Sequence, residues 1–323
     1  MHGDRITVLD IGHGNCAVLE AGGCTVVIDA GPKGYVLNYL EQRNINSIDT
    51  VLLSHADQDH VGGLLSILSS HVRVDKIRLN TDSLKPSRVW EDLLYELNSQ
   101  DGKGEIDFSV SLTANMMEDY SCGDARVEVL GPSKYLAAKG PGAKDSKGRN
   151  ITTNSISAVV RVSNKHEGIV LLAADLDNIA LEDLQREKVD LTANVLIFPH
   201  HGGATKPKSF IPTLLEMVNP KKILFSIGRE KFENPNKAVV SEIREILPEV
   251  HIMCTQLSKN CSTEIPTVSP EYMRSLYAQG AENKRCCAAT MLIDIDSGDL
   301  LNPVDVDHAK FVNDVVESPL CRR

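Results

Sequence analysis

The sequence is short of several features that would have fixed its class at once. No stretch approaches the roughly 18 consecutive apolar residues of a membrane helix. Met1 to Arg5 leads only into a short apolar run, so no secretory leader is expected and the location is expected to be cytoplasmic, with no membrane involvement. Positive charge is in deficit: 34 Lys and Arg stand against 44 Asp and Glu, a formal net charge of −10 over 323 residues. That excludes a protein that coats nucleic acid by bulk charge, but not an enzyme that cuts it at one local place. Aromatic residues are 4% of the chain with a single Trp, and Trp90 and the few Tyr and Phe are read as core. No internal repeat recurs at about 20–50 residues. Eight Cys are present, but a chain of this length buries a sizeable core without staples, so reduced and partly buried Cys is the expectation. A hydrophobic fraction of 42% rules out wholesale disorder.

The chain reads as strands alternating with helices, the pattern of an α/β layer fold. Residues 6–10, 16–20 and 24–29 read as strands, the last two joined as a hairpin across Ala21-Gly22-Gly23. Helical spacing covers 35–43, 61–71, 87–100, 179–187 and 238–246, and further strands are expected at 50–54, 74–79, 107–112, 126–131, 155–162, 168–173, 193–198, 222–227 and 290–295. The stretch from His251 onward otherwise reads as Cys-containing loops. Residues 139–150 form a Gly/Lys-rich loop carrying Lys139, Lys144, Lys147 and Arg149 against Asp145. It is either a solvated surface loop or an arm that touches a phosphate backbone. His2, His71, His166 and His308 have no evident partners and are expected at the surface.

Three apolar runs end in residues that bind metals. The first runs into Ser54-His55-Ala56-Asp57-Gln58-Asp59-His60-Val61-Gly62-Gly63, with four candidate ligands within six residues. Asp57 and Asp59 would repel each other unless a cation sat between them. The second is Leu171-Leu172-Ala173-Ala174-Asp175, and the third is Ile197-Phe198-Pro199-His200-His201-Gly202-Gly203. Strand ends are where α/β sheets place their sites. Each signal is modest alone, but together they form one constellation.

Here the chain resembles the metallo-β-lactamase superfamily. His55-Ala56-Asp57-Gln58-Asp59-His60 looks like its HxHxDH signature in an HxDxDH form. With Asp10-Ile11-Gly12-His13-Gly14-Asn15, Asp29-Ala30-Gly31, Ala174-Asp175 and Pro199-His200-His201-Gly202-Gly203, it is similar to the soluble hydrolase domain of ComEC-type DNA-uptake proteins. The pattern there runs DxGQGD, IDAG, THxDxDHxGG, TGD and PHHGS. The resemblance implies an αββα sandwich over residues 1–250, with 251–323 as a C-terminal elaboration packed on the same domain. Lacking a membrane channel, the chain would be a stand-alone relative. By this carry-over His55 and Asp57 would bind one metal, Asp59 and His60 a second, Asp175 would bridge them, and His200 would complete the second site. His201 is left to contact substrate or donate a proton. Asn154 stands where the family has a third His, so Asp59, His201 and Asn154 become the candidate catalytic positions. His13 replaces the Gln of the first motif. Asp10, Asp29 and His13 would orient ligands, although turn chemistry accounts for Asp10 and Asp29 equally well.

Three carboxylates and three imidazoles make a donor set richer in oxygen than the usual zinc site of this fold. Two divalent ions are expected, with Mn²⁺ and Zn²⁺ both suitable. The nucleophile would be hydroxide, and no Ser or Cys nucleophile is required. Late in the chain, His251, Cys254, Cys261, Cys286 and Cys287 could in principle hold a structural zinc, but reduced core Cys accounts for them better and a disulfide is a third option. The resulting expectation is a metal-dependent phosphodiesterase or nuclease with DNA as substrate. Contacts would be local, through Lys144, Lys147 and Arg149 and through Lys206, Lys208, Lys221 and Lys222. The alternatives are a hydrolase of a small phosphoester, cyclic nucleotide or thioester, and a non-catalytic metal-binding subunit of a larger defence or toxin assembly.

Overall fold

The computed structural model describes residues 3–114, 118–266, 276–281, 283–301 and 304–322, so the expectation for His2 falls outside them. In chain order the elements are β1 (Arg5–Val8), β2 (Cys16–Ala21), β3 (Cys24–Ala30), α1 (Tyr35–Gln42), β4 (Ser47–Leu52), α2 (Gln58–Val61), α3 (Leu64–Leu68), β5 (Arg73–Arg78), α4 (Arg88–Gly102) and β6 (Asp107–Ser109). Then come β7 (Arg126–Gly131), α5 (Lys134–Lys139), β8 (Val159–Ser163), β9 (Gly168–Leu172), α6 (Asn178–Arg186), β10 (Val195–Ile197), α7 (Phe210–Val218), β11 (Lys222–Phe225), α8 (Lys237–Ile246), β12 (His251–Cys254), β13 (Met291–Asp294) and α9 (Val304–Asp314).

Two sheets form, in strand orders β13-β1-β2-β3-β4-β5-β6 and β12-β11-β10-β9-β8-β7. Strand alternation decides how they stack. In β3, Val26 and Ile28 face the second sheet while Val27 turns to the opposite side. In β10, Val195 and Ile197 meet the first sheet and Leu196 turns away. One core therefore lies between the sheets. A second lies between the first sheet and α1, α3 and α4, through Val36, Leu40, Ile67, Trp90 and Leu93. A third lies between the second sheet and α6, α7 and α8, through Leu181, Phe210, Leu214, Val240 and Ile243. The layers run α, β, β, α. Residues after 250 supply an edge strand to each sheet, β12 beside β11 and β13 beside β1.

Several local expectations change. The helix expected over 61–71 is two short pieces, because Gly62-Gly63 lies against the loop after β3: the Gly63 N–H donates to the Gly31 carbonyl at 2.8 Å, and a Cβ at Gly63 would sit 2.2 Å from the Ala30 carbonyl. The strand expected from 155 opens instead with a 3-10 turn over Asn154–Ile156. Residues 251–254, read as loop, form β12, and α5, α7 and α9 had not been anticipated. In α7, Pro212 lies in the first turn, where no intrahelical N–H is lost.

The cysteines correct two readings. Cys24 and Cys122 form a disulfide, 98 residues apart in sequence with Cα atoms 5.4 Å apart, against the expectation of reduced thiols throughout. The other six are free. The quartet Cys254, Cys261, Cys286 and Cys287 does not close on one ion. Adjacent extended residues point to opposite faces, so Cys286 enters the inter-sheet core and its thiol donates to Asp10 at 3.2 Å, while Cys287 enters the helix-side core with Cys254 and Cys261. His308, expected at the surface, is buried with Nε2 3.2 Å from the Cys287 sulfur. His71 and His166 are exposed and Trp90 is core, as their sequence contexts indicated.

Candidate metal centre

The loops that follow β1, β4, β9 and β10 meet at one edge of the sandwich. Each brings titratable side chains to the ends of apolar strands that cannot shift without disturbing the core. Two clusters result. His55, His60 and Asp175 form one, and His13, Asp59 and His201 the other; within each, one ligand atom per residue lies within 4.8 Å of the rest. His55 Nε2 is 3.6 Å from Asp175 Oδ2, and His60 Nε2 is 3.4 Å from Asp175 Oδ1. His13 Nε2 and His201 Nε2 are each 3.4 Å from Asp59 Oδ2. Asp175 reaches across, its Oδ1 being 3.8 Å from His201 Nε2.

Three of the four cluster imidazoles are aimed by what holds the other nitrogen, whereas His13 Nδ1 is buried without a hydrogen-bond partner. The Asp29 carboxylate, in left-handed backbone at φ 57° just before Ala30, accepts from the Ser54 N–H at 2.7 Å, the Ser54 hydroxyl at 2.8 Å and His60 Nδ1 at 2.7 Å. His55 Nδ1 lies 2.9 Å from Ser54 Oγ and 3.2 Å from Ser157 Oγ. His201 Nδ1 donates to the Ser226 carbonyl at 2.8 Å. Fixing Nδ1 in this way leaves Nε2 directed into the cluster. Gly14 carries the loop bearing His13 over α2: its φ is 141°, the neighbouring Asn15 N–H donates to the Asp59 carbonyl at 3.1 Å, and a Cβ at Gly14 would lie 2.3 Å from that oxygen.

The electrostatics follow from burial and from carboxylates crowded among imidazoles. Burial alone would raise the Asp175 carboxyl, but the charge of His60 and the nearness of the His200 and His55 rings hold it well below the usual carboxylate range. Asp59 is likewise held low against its burial, by His201 and His60. Burial disfavours the His60 cation, yet Asp29 and Asp175 on its two nitrogens raise it well above an ordinary imidazole. His13 is pushed down to about 4 by burial and by repulsion from His201.

A divalent cation fits these residues. His55 Nε2, His60 Nε2, His201 Nε2 and Asp175 Oδ1 are buried and make no hydrogen bond. Buried polar atoms are nearly always partnered, and leaving one dry costs about 1–3 kcal/mol. Four such atoms converging from three loops form a donor set for a metal.

The structure redistributes several expected roles. Asp57, expected as a ligand, stands at the N-cap position of α2 without a side-chain cap bond, and its carboxylate pairs with Lys85 at the rim; in neither cluster does it take part. His201 rather than His200 stands beside Asp59. His200 is half-exposed, with Nδ1 3.3 Å from Asp175 Oδ2 and Nε2 3.4 Å from the Asn154 side chain. Both His200 and His201 occupy left-handed backbone, at φ 53° and 54°, which is what turns consecutive rings to different sides. Asn154 is held near His200 because Ser155 Oγ donates to Asp177, the N-cap of α6. His13, expected to orient a ligand, lies within a cluster. Its flanking Gly12 and Gly14 were the available signal. Asp10 orients no histidine: it accepts from Gln256 Nε2 at 2.8 Å, the Gly12 N–H at 3.1 Å and the Gly280 N–H at 3.0 Å, so it ties the first loop to the C-terminal segment.

A cleft of about 870 Å³ opens over the clusters, lined among others by His13, Lys33, Asp59, Lys85, Asn154, His200, His201, Lys231 and Phe232. The expected phosphate arm does not line it. Lys147 and Arg149 pair with Glu182, Arg149 also with Asp145, and Lys144 Nζ bonds the Gly148 carbonyl and Asn150. Lys147 and Arg149 border a different hollow, against α6. Lys222 lies near Asp299 on another face.

Residues 9–107 match the family described as the metallo-beta-lactamase superfamily. Over that stretch the chain is similar to that superfamily. A curated relative, Recombination protein 2 of Haemophilus influenzae, is 24% identical over 234 residues, which are 70% of this chain and 24% of the relative. This chain therefore spans about a quarter of that relative's length. Among solved structures it is similar to Zn²⁺-bound PqqB from Methylobacterium extorquens, with 12% identity, 77% of this chain and 97% of that chain covered, and a TM-score of 0.48. It is also similar to the short form of human tRNase Z, with 11% identity, coverage of 70% and 94%, and a TM-score of 0.41. Among the described residues no helix is long and apolar enough to cross a membrane.

Proposed function

We propose that this protein is a metal-dependent hydrolase that cleaves phosphodiester bonds in nucleic acid, with His55, His60, Asp175, His13, Asp59 and His201 holding two divalent ions. The observation that carries this reading is the set of buried, unpartnered donor atoms on His55, His60, His201 and Asp175, aimed at one another from three separate loops. Bound divalent ions would supply an activated water and offset the charge of a phosphodiester. The chain's own residues do the rest. Asp29 and Ser226 hold His60 and His201 in the tautomers that present a bare Nε2. Asp175 stands between the two clusters, which suits it to a bridging role. His200, half-exposed over Asp175, faces the cleft where a leaving oxygen would need a proton. Lys33 and Lys231 on the rim suit an anionic substrate. The name of the Haemophilus relative, Recombination protein 2, supports DNA as the substrate.

Mixed oxygen and nitrogen donors suit Mn²⁺ as well as Zn²⁺. The test is incubation of the purified protein with plasmid and single-stranded DNA under Mn²⁺ and Zn²⁺ in turn, with elemental analysis of the same preparation. Nicking or degradation that Asp59→Ala abolishes is expected. A protein that carries metal but cleaves no DNA or RNA under any of these ions would overturn the nuclease reading, and a panel of small phosphoesters and thioesters would then locate its substrate.

A further inference from the structure

The cleft carries one feature that metal chemistry does not use. Among the described residues with large exposed apolar side chains, Phe232 lines the cleft, 74% exposed, while Tyr95, Leu84, Val110 and Tyr135 do not. Its ring sits 4.8 Å, centroid to centroid, from the ring of His13 at a tilt of 54°, so one side lies beside His13 and the remainder stands in solvent.

The backbone that presents this ring is both unusual and firmly held. Phe232 and Glu233 lie in left-handed backbone at φ 59° and 49°, a conformation that bulky side chains rarely adopt. The loop does not wander. At its start the buried Arg229 guanidinium donates to the carbonyls of Leu257, Ser262 and Thr263. At its end Asn260 Nδ2 donates to the carbonyls of Glu233 and Pro235, and the Asn236 N–H donates to the Gly202 carbonyl beside the histidine pair. A strained aromatic on a braced loop, exposed over a reactive centre, points to a ligand that covers it. The exposed Lys231 precedes it, and Lys33 borders the same cleft. A flat apolar face flanked by cations is the pairing that binds a strand whose bases are unpaired: the base stacks while the cations follow the phosphates.

We propose that Phe232 is a stacking platform for an unpaired nucleobase next to the phosphate held at the metal clusters, and that it gives the cleft its preference for single strands. This rests on the phosphodiesterase reading above for the position of the phosphate, but not for the stacking itself. A base paired in a duplex has its faces occupied and cannot use the ring.

The test is a fluorescence titration of single-stranded DNA carrying 2-aminopurine at successive positions, with Ca²⁺ in place of Mn²⁺ to hold off cleavage. Wild type should bind about 5- to 150-fold more tightly than Phe232→Ala, the range that base–aromatic stacking gives on alanine substitution. At one position the 2-aminopurine signal should change with wild type only. Phe232→Trp should keep the affinity. An abasic nucleotide at the responding position should erase the difference between wild type and Phe232→Ala, and duplex DNA should show none. Equal single-strand affinity for wild type and Phe232→Ala, a difference that persists with every abasic strand, or no binding by wild type would each overturn the proposal. Thermal midpoints establish that the variants are folded, as expected for a side chain so exposed. Binding with the full stacking signature but no cleavage under Mn²⁺ would retire the nuclease reading and leave the stacking assignment standing.

Discussion

Replacing Asp29 tests the centre without touching a single proposed ligand. Its carboxylate is buried and accepts three hydrogen bonds: from the Ser54 N–H, the Ser54 hydroxyl and His60 Nδ1. In Asp29→Ala all three donors lose their acceptor. Even one of them left dry is worth about 1–3 kcal/mol, so this variant should lose stability as well as metal. Asp29→Asn separates the two effects. Its amide oxygen can still accept from the Ser54 N–H, which largely preserves the turn. Its amide nitrogen, however, is a donor 2.7 Å from His60 Nδ1. That contact selects the tautomer with hydrogen on Nε2, the atom that faces Asp175, and a protonated Nε2 cannot bind a cation. Loss of an orienting carboxylate of this kind lowers metal affinity by about 10- to 100-fold, or about 1.4–2.8 kcal/mol. Metal affinity measured by isothermal titration with Mn²⁺ and with Zn²⁺, beside thermal unfolding in chelator, resolves the two quantities. Asp29→Asn should weaken metal binding by at least tenfold while unfolding in chelator near the wild-type midpoint. A folded Asp29→Asn protein that binds metal with wild-type affinity would refute the claim that Asp29 sets the ring of His60.

Other outcomes follow from the same geometry. Asp57→Ala should leave metal content unchanged, because Asp57 pairs with Lys85 and belongs to neither cluster; loss of one metal equivalent in elemental analysis would restore it as a ligand. Gly14→Ala should lose about 1 kcal/mol or more in chemical denaturation, together with metal affinity, since φ is 141° and the new Cβ would press on the Asp59 carbonyl. Chelation should lower the thermal midpoint, because a ligand held at 100 times its Kd stabilises by about 2.7 kcal/mol; an unchanged midpoint argues that the clusters hold no ion. Glu182 is held down to about 2 by its bonds from Arg149, Lys147 and Asn178. A depressed carboxyl adds stability above its ordinary value near 4.5 that disappears as pH falls toward 2. Acid unfolding of Glu182→Gln followed by circular dichroism should therefore show a shallower pH dependence across that window, with some stability already lost at neutral pH.

Alternating strand and helix patterns marked an α/β layer fold and the residues from which a site can be built, while the αββα arrangement came from the resemblance carried by the motif order. Apolar runs of strand length, each ending in His or Asp, survive as signals because a strand's pattern is local and its end is marked by the first charged residue. The ordered motifs from Asp10 to His201 follow the same logic. Tertiary structure decided how that list is shared out. Asp57 and Asp59 are two residues apart, yet only Asp59 joins a cluster, because the Asp57 carboxylate is paired with Lys85 from a distant loop. His200 and His201 are neighbours whose rings diverge because both backbones are left-handed. His13 joins Asp59 only because Gly14 lets two loops touch. Cys286 and Cys287 part company across a sheet, and Cys24 finds Cys122 over 98 residues. Spacing names the residues that can act, but long-range packing and the sign of a few φ angles choose which of them face one another.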